Sequence, residues 1–205
     1  MICIITGDIV NSQRYTNPET WLVPLKNEFL RLGNSPESWD IYRGDSFQLK
    51  IAEPQKALLA AIRIKASIKK VKDLDVRMAL GFGEEEYLSH RISESNGGAY
   101  VNSGELFDTL ENIHMNLAVK TSWDQFDKEI NLYLRLLLPI IDNWSTKSAE
   151  LISLVMDAPA STQINLAADL GIAQSSVSER QKRAYVDEIL EVNAIYQEKL
   201  AELVL

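Results

Sequence analysis

The chain has 205 residues, 46% of them hydrophobic and 24% charged, with 21 basic and 29 acidic side chains and a net charge of −8. That length suits one large domain, or one of about 120 residues with a small second one, and the balanced composition excludes disordered, collagenous and disulfide-scaffold classes. No stretch reaches the roughly 20 apolar residues of a membrane span, so no membrane partner is expected, and the acidic balance argues against general affinity for nucleic acid. A single cysteine fits the reducing cytoplasm. Met1 runs straight into Ile2, Cys3, Ile4 and Ile5 without a basic lead, so no signal peptide is expected.

In chain order, residues 2–10 are β-branched and apolar apart from Gly7 and Asp8, and read as a strand. Asn17-Pro18-Glu19 opens a helix with Trp21, Leu22, Leu25, Phe29 and Leu32 on one face, and Gly33-Asn34 stops it. Trp39 to Ile51 reads as two short strands joined at Arg43-Gly44-Asp45. Pro54 begins a second amphipathic helix, with Leu58, Ile62, Ala66 and Val71 inward and a lysine-rich far face. Residues 74–82 alternate as a half-buried strand, with Asp75 and Arg77 on the polar side. Gly97-Gly98 and Ser103-Gly104 precede a helix expected from about Glu105 to Asn112. No 20–50-residue period recurs. The order β-α-β-β-α-β is that of the ferredoxin-like, or palm, arrangement.

Ser122 to Gln125 matches a capping box, starting a helix whose apolar run ends at Leu138-Pro139. Helical segments broken at Pro159 and Gly171 follow, then a final amphipathic helix carrying Val186, Ile189, Leu190, Tyr196, Leu200 and Leu203. The class is α+β: a palm domain over 1–120, a linker helix over 121–144, and an all-helical domain over 145–205.

Two constellations could carry chemistry. Asp8, in TGDIVNS, and Asp45, in YRGDSFQL, fall side by side in a palm topology, with their carboxylates expected within about 6 Å of each other. Two carboxylates so placed can share Mg²⁺ or Mn²⁺. Spacing alone equally allows a strand-end cap and a Gly-Asp hairpin turn. Asn11, Ser12 and Arg14 follow Asp8 in a loop that could meet phosphate, or could be a polar connection, and Arg43 could contact phosphate or pair with Asp45. Glu84 to Glu86 reads as a solvated turn, although three acids near a strand end could add a metal ligand, His90 and His114 lack the partners a zinc site needs, and Cys3 reads as core.

The second constellation is residues 163–184, QINLAADLGIAQSSVSERQKRA, which fit a helix-turn-helix unit. Ala167 is small where the helices cross, Gly171 permits the left-handed turn, and Leu166, Leu170, Ile172 and Val177 point inward. The second helix then presents Gln174, Ser175, Ser176, Ser178, Arg180, Lys182 and Arg183, types suited to base edges and phosphates. Gln181 stands where many such units have leucine. The basic cluster is local: residues 121–205 carry 7 basic and 13 acidic side chains, against 14 and 16 in residues 1–120. A helical pair used only for packing stays open as an alternative. The last helix could cover the helix-turn-helix core or pair with a second subunit, and a homodimer is expected, since a bare unit of this size works on paired half-sites.

TGDIVNS, YRGDSFQL and AYVNSGELFDTL, followed by the helix-turn-helix, resemble the SatD family of bacterial proteins, and more distantly the first 115 or so residues resemble class III nucleotidyl cyclase domains. The cyclase resemblance implies metal binding by Asp8 and Asp45 and a ribose-orienting role for Asn102. Three positions depart from it. Ile41 and Ser95 stand at the base-reading positions, and Leu106 replaces the arginine that stabilises charge on the transferring phosphate. The expected function is therefore a DNA-binding transcriptional regulator whose palm domain binds a nucleotide or other phosphate ligand with a divalent metal. The alternatives are a metal-dependent nucleotide-processing enzyme and an interaction protein with a decayed site.

Overall fold

A computed structural model describes residues 1–204, an α+β arrangement of a five-stranded mixed sheet and eight α-helices. The strands are β1 (Ile2–Val10), β2 (Trp39–Tyr42), β3 (Ser46–Ile51), β4 (Asp75–Gly83) and β5 (Leu117–Lys120), in the spatial order β2-β3-β1-β4-β5. Every pairing is antiparallel except β4 with β5. In register, Asp8 of β1 lies opposite Ser46 of β3 and Arg77 of β4.

Helices α1 (Glu19–Leu30) and α2 (Ala57–Lys69) cover one face of the sheet. Phe29 meets Phe47 and Trp39 there at ring separations of 5.0 and 5.5 Å. Burying one such ring is worth about 2–3 kcal/mol. Cys3 is buried in the same layer, which pushes its thiol well up. On the other face α3 (Gly98–Thr109) runs over β1 and β4. It begins some seven residues earlier than the sequence suggests, because its small residues are contact surface and not breakers. A Cβ added to Gly81 would fall 2.1 Å from the Ser103 amide nitrogen, and one on Gly83 2.5 Å from that of Ala99. Helix and strand approach so closely that only glycine fits on β4. With helices on both sides, β4 is buried on both faces, contrary to the half-buried strand read from its alternation.

The lysine-rich far face of α2 is likewise corrected. Lys65 is fully buried and Lys69 nearly so, because a further helix, α5 (Thr146–Asp157), packs on that side of α2. The Lys65 ammonium pairs with Asp75 at 2.6 Å and Asp142 at 2.7 Å, while Lys69 pairs with Asp75 at 3.1 Å and donates to the Asp142 carbonyl at 2.5 Å. Two cations and two anions thus tie α2, β4 and the turn before α5 together. Arg63 strengthens the same seam, donating to Asp157 and to the Met156 carbonyl at the end of α5.

Helix α4 (Asp124–Ile141) starts without the predicted capping box. Asp127 takes that role, accepting from the Thr121 amide at 2.9 Å and its hydroxyl at 2.7 Å, and α4 continues through Pro139. It packs on β5, and its buried apolar side chains belong to one hydrophobic cluster that runs from Cys3 to Leu200. Helices α6 (Gln163–Leu170) and α7 (Gln174–Ala184) meet across Gly171, whose φ of 63° is left-handed. Leu166 and Val177 are buried between them and α5. Helix α8 (Val186–Val204) turns back to the sheet layer, where the Tyr196 ring lies 6.2 Å from Phe82 and 6.0 Å from Phe126, and its hydroxyl donates to the Pro54 carbonyl. The apolar stripe of α8 is therefore covered within the chain. Among the described residues no helix is long and apolar enough to cross a membrane.

Candidate functional site

The C-terminal end of β1 opens into a cleft of about 760 Å³. Side-chain alternation along β1 sends Asp8 to the α3 side of the sheet, together with Thr6, whose hydroxyl donates to Ser103 on that helix. The β2–β3 turn reaches the same end of β1, where the Ile9 amide donates to the Asp45 carbonyl at 3.2 Å. The loop after β1 closes the cleft: Asn11 adopts a left-handed φ of 66°, its side-chain amide donates to the Asp73 carbonyl, and the Ser12 hydroxyl donates to the Asp45 carboxylate at 2.5 Å.

Asp8, Asp45, Asn11, Ser12 and Arg14 all line this one cleft. Arg43 and Asn102 do not. Arg43 sits exposed at the turn with a left-handed φ of 52°. Asn102 lies near the start of α3 and donates to the Phe82 carbonyl at 2.7 Å. Phe82 is five residues along β4 from Arg77, the register partner of Asp8, a separation of about 17 Å.

The remaining cleft residues include Arg77, Glu111, His114 and Asn116, none of which the motifs identified. Arg77 had a signal, since its place in the β4 alternation put it on the polar side. Its guanidinium holds Asp8 at both oxygens, at 2.8 and 3.2 Å, lies 5.4 Å from the Phe107 ring centre, and stands 3.7 Å from Glu111. The hydrogen bonds to Asp8 push the guanidinium pKa further up. Glu111, His114 and Asn116 come from the turn after α3 and carried no readable pattern.

Electrostatically the cleft holds three acids (Asp8, Asp45, Glu111) and two arginines (Arg14, Arg77). The C-terminal turn of α3 adds partial negative charge. Such a site favours a cation, or an anion accompanied by one. The two aspartates come from different segments, and each keeps carboxylate lone pairs beyond the bonds it makes. That donor set fits a magnesium-type ion, which takes one or two carboxylates and completes its shell with water and phosphate oxygens.

The second candidate surface is α7. Ser175, Lys182 and Arg183 are exposed, and Ser176, Ser178 and Arg180 are half-exposed. Gln174 is exposed, but its amide is tied to Gln163, which in turn donates to Gln181 at 2.6 Å. That bridge explains the glutamine at a position where leucine is usual: α6 and α7 are pinned there by amides instead of an apolar contact. Arg183 pairs with Glu179 along the helix at 2.7 Å. Among the described residues Arg180 and Lys182 make no side-chain hydrogen bond or ion pair.

No protein-family model matches the chain, and no curated protein matches it.

Proposed function

We propose that the chain is a SatD-like regulatory protein that contacts DNA through α7 and binds a phosphate-bearing ligand, such as a nucleotide, together with Mg²⁺ or Mn²⁺ in the cleft at the end of β1. The observation that carries this reading is the gathering of Asp8, Asp45, Asn11, Ser12 and Arg14 around one opening. The antiparallel order β2-β3-β1-β4 with its two covering helices supports a ferredoxin-like palm over residues 1–120. The pairing of α6 and α7 across Gly171, with α5 beneath them, supports a helix-turn-helix within 145–205. Asp8 and Asp45 would hold the metal, which would neutralise phosphate charge. Arg14 and the Ser12 hydroxyl would meet the phosphate oxygens.

The enzyme alternative is weaker. Ile41, Ser95 and Leu106 stand where the cyclase resemblance implies base-reading residues and a transition-state arginine. The homodimer belongs to the proposal too, but α8 does not supply its interface, since that stripe is covered within the chain.

Selection of DNA fragments at low salt, with and without Mn²⁺ and a nucleotide mixture, tests the reading. Recovery of a defined site whose occupancy changes with the ligand is the expected result. For that site, Arg180→Ala should weaken binding by about 1–3 kcal/mol if it reaches a base edge. Absence of any selected DNA would overturn the regulatory reading.

A further inference from the structure

Among the described residues Arg77 and Asp8 form the only ion pair on the cleft wall in which each partner holds the other at two points, and this bears on how the site loads. While Arg77 holds both its oxygens, Asp8 meets a cation only against the charge of the guanidinium. Asp8 in turn takes the Nε and one Nη of Arg77, and its charge opposes an anion arriving there. Both side chains are only partly buried, at 22% exposure each, and both face the opening, so the pair is accessible to an incoming ligand. The Phe107 ring under the guanidinium and Glu111 beside it keep Arg77 in the cleft when Asp8 lets go.

From this geometry we infer that the Asp8–Arg77 pair is an exchange gate, which makes the cleft take a divalent cation and a phosphate group together and admit either one alone poorly. The inference rests on the cleft being the metal–phosphate site. A bare cation reaching Asp8 leaves the arginine only the exposed Glu111 at 3.7 Å, and a bare phosphate reaching Arg77 leaves the aspartate without its guanidinium. When both arrive, Asp8 turns to the cation and Arg77 to the phosphate, and each charge keeps a partner. By linkage, each ligand then raises affinity for the other by the same factor.

The gate is tested by removing each half. Mn²⁺ binding is followed from the loss of the free-ion paramagnetic resonance signal, and binding of inorganic triphosphate by equilibrium dialysis. Arg77→Met should tighten Mn²⁺ alone by about tenfold or more, and Asp8→Asn should tighten triphosphate alone by a similar factor, the range typical of coupled sites. Arg14→Met is the control, because it removes the same charge from the same cleft without touching Asp8, and it should move Mn²⁺ affinity much less. Equal effects of Arg77→Met and Arg14→Met would reduce the pair to general electrostatics and overturn the gate while leaving the metal site standing. So would unchanged affinities in both halves. Failure of wild type and all variants to bind Mn²⁺, with or without triphosphate, would overturn the metal site itself and the gate with it.

Discussion

Two ionic clusters hang on β4 only two residues apart, and they behave as opposites. Around Asp75 the charges are enclosed: Lys65 is fully buried and touches two carboxylates, and Lys69 closes the set against Asp75 and the Asp142 carbonyl. Around Arg77 each charge has one principal partner and an open cleft on its other side. Burial separates the two roles. Charges enclosed with opposite partners on several sides cannot exchange them without stranding a neighbour in a poorly solvated place, so they serve as a joint. A pair at the wall of a cleft can hand each member to a ligand.

The largest loss of stability is expected at the enclosed cluster. Lys65→Met leaves Asp75 and Asp142 with too little positive charge, and should lower stability by about 3–5 kcal/mol, read from the urea midpoint. Asp8→Asn should lower stability by less than about 1 kcal/mol, because the pair is partly solvated, while abolishing the response to Mn²⁺ given together with triphosphate. If the two variants cost the same, the division between joint and gate fails.

A third pair lies between these extremes. Glu85 accepts from Lys50 at 2.5 Å and from Tyr100 at 2.7 Å. Burial alone would raise its carboxyl, but those two hydrogen bonds outweigh it and hold the pKa below the usual glutamate value, while burial and Glu85 together push the Tyr100 hydroxyl well up. A depressed acid contributes stability above its unfolded pKa and loses it as pH falls through the folded value. Lys50→Met should therefore flatten the fall in melting temperature below the usual glutamate pKa and leave the neutral-pH curve shape unchanged. The smallest effect on stability belongs to Lys182→Ala, within about 0.5 kcal/mol for a surface side chain. On DNA it should weaken all sequences alike and reduce the salt slope by about one.

How much of this was legible in the sequence follows from what periodicity can see. Strand β1 and the β2–β3 hairpin were readable because apolar alternation and an Arg-Gly-Asp turn are local signals, and with them came Asp8 and Asp45. The start of α3 was not, because Gly98, Ala99 and Ser103 read as breakers until Gly81 and Gly83 are known to lie beneath them. Nor were Lys65 and Lys69, since a helix pattern reports one buried face and cannot foresee a second layer covering the other. Arg77 was visible as a polar residue on β4, but its partner lies 69 residues away in the chain, and only the sheet register joins them.

If the cleft at the end of β1 holds a divalent cation and phosphate between Asp8 and Asp45, the two together should stabilise the fold. Thermal melting with Mn²⁺ and inorganic triphosphate together, on the wild type and on Asp45→Asn, tests it most directly. Near a hundredfold excess over the dissociation constant, the wild type should gain about 5–10 °C and Asp45→Asn none, with both proteins melting alike in the absence of ligand. An equal gain in the two proteins, or no gain in the wild type, would contradict it.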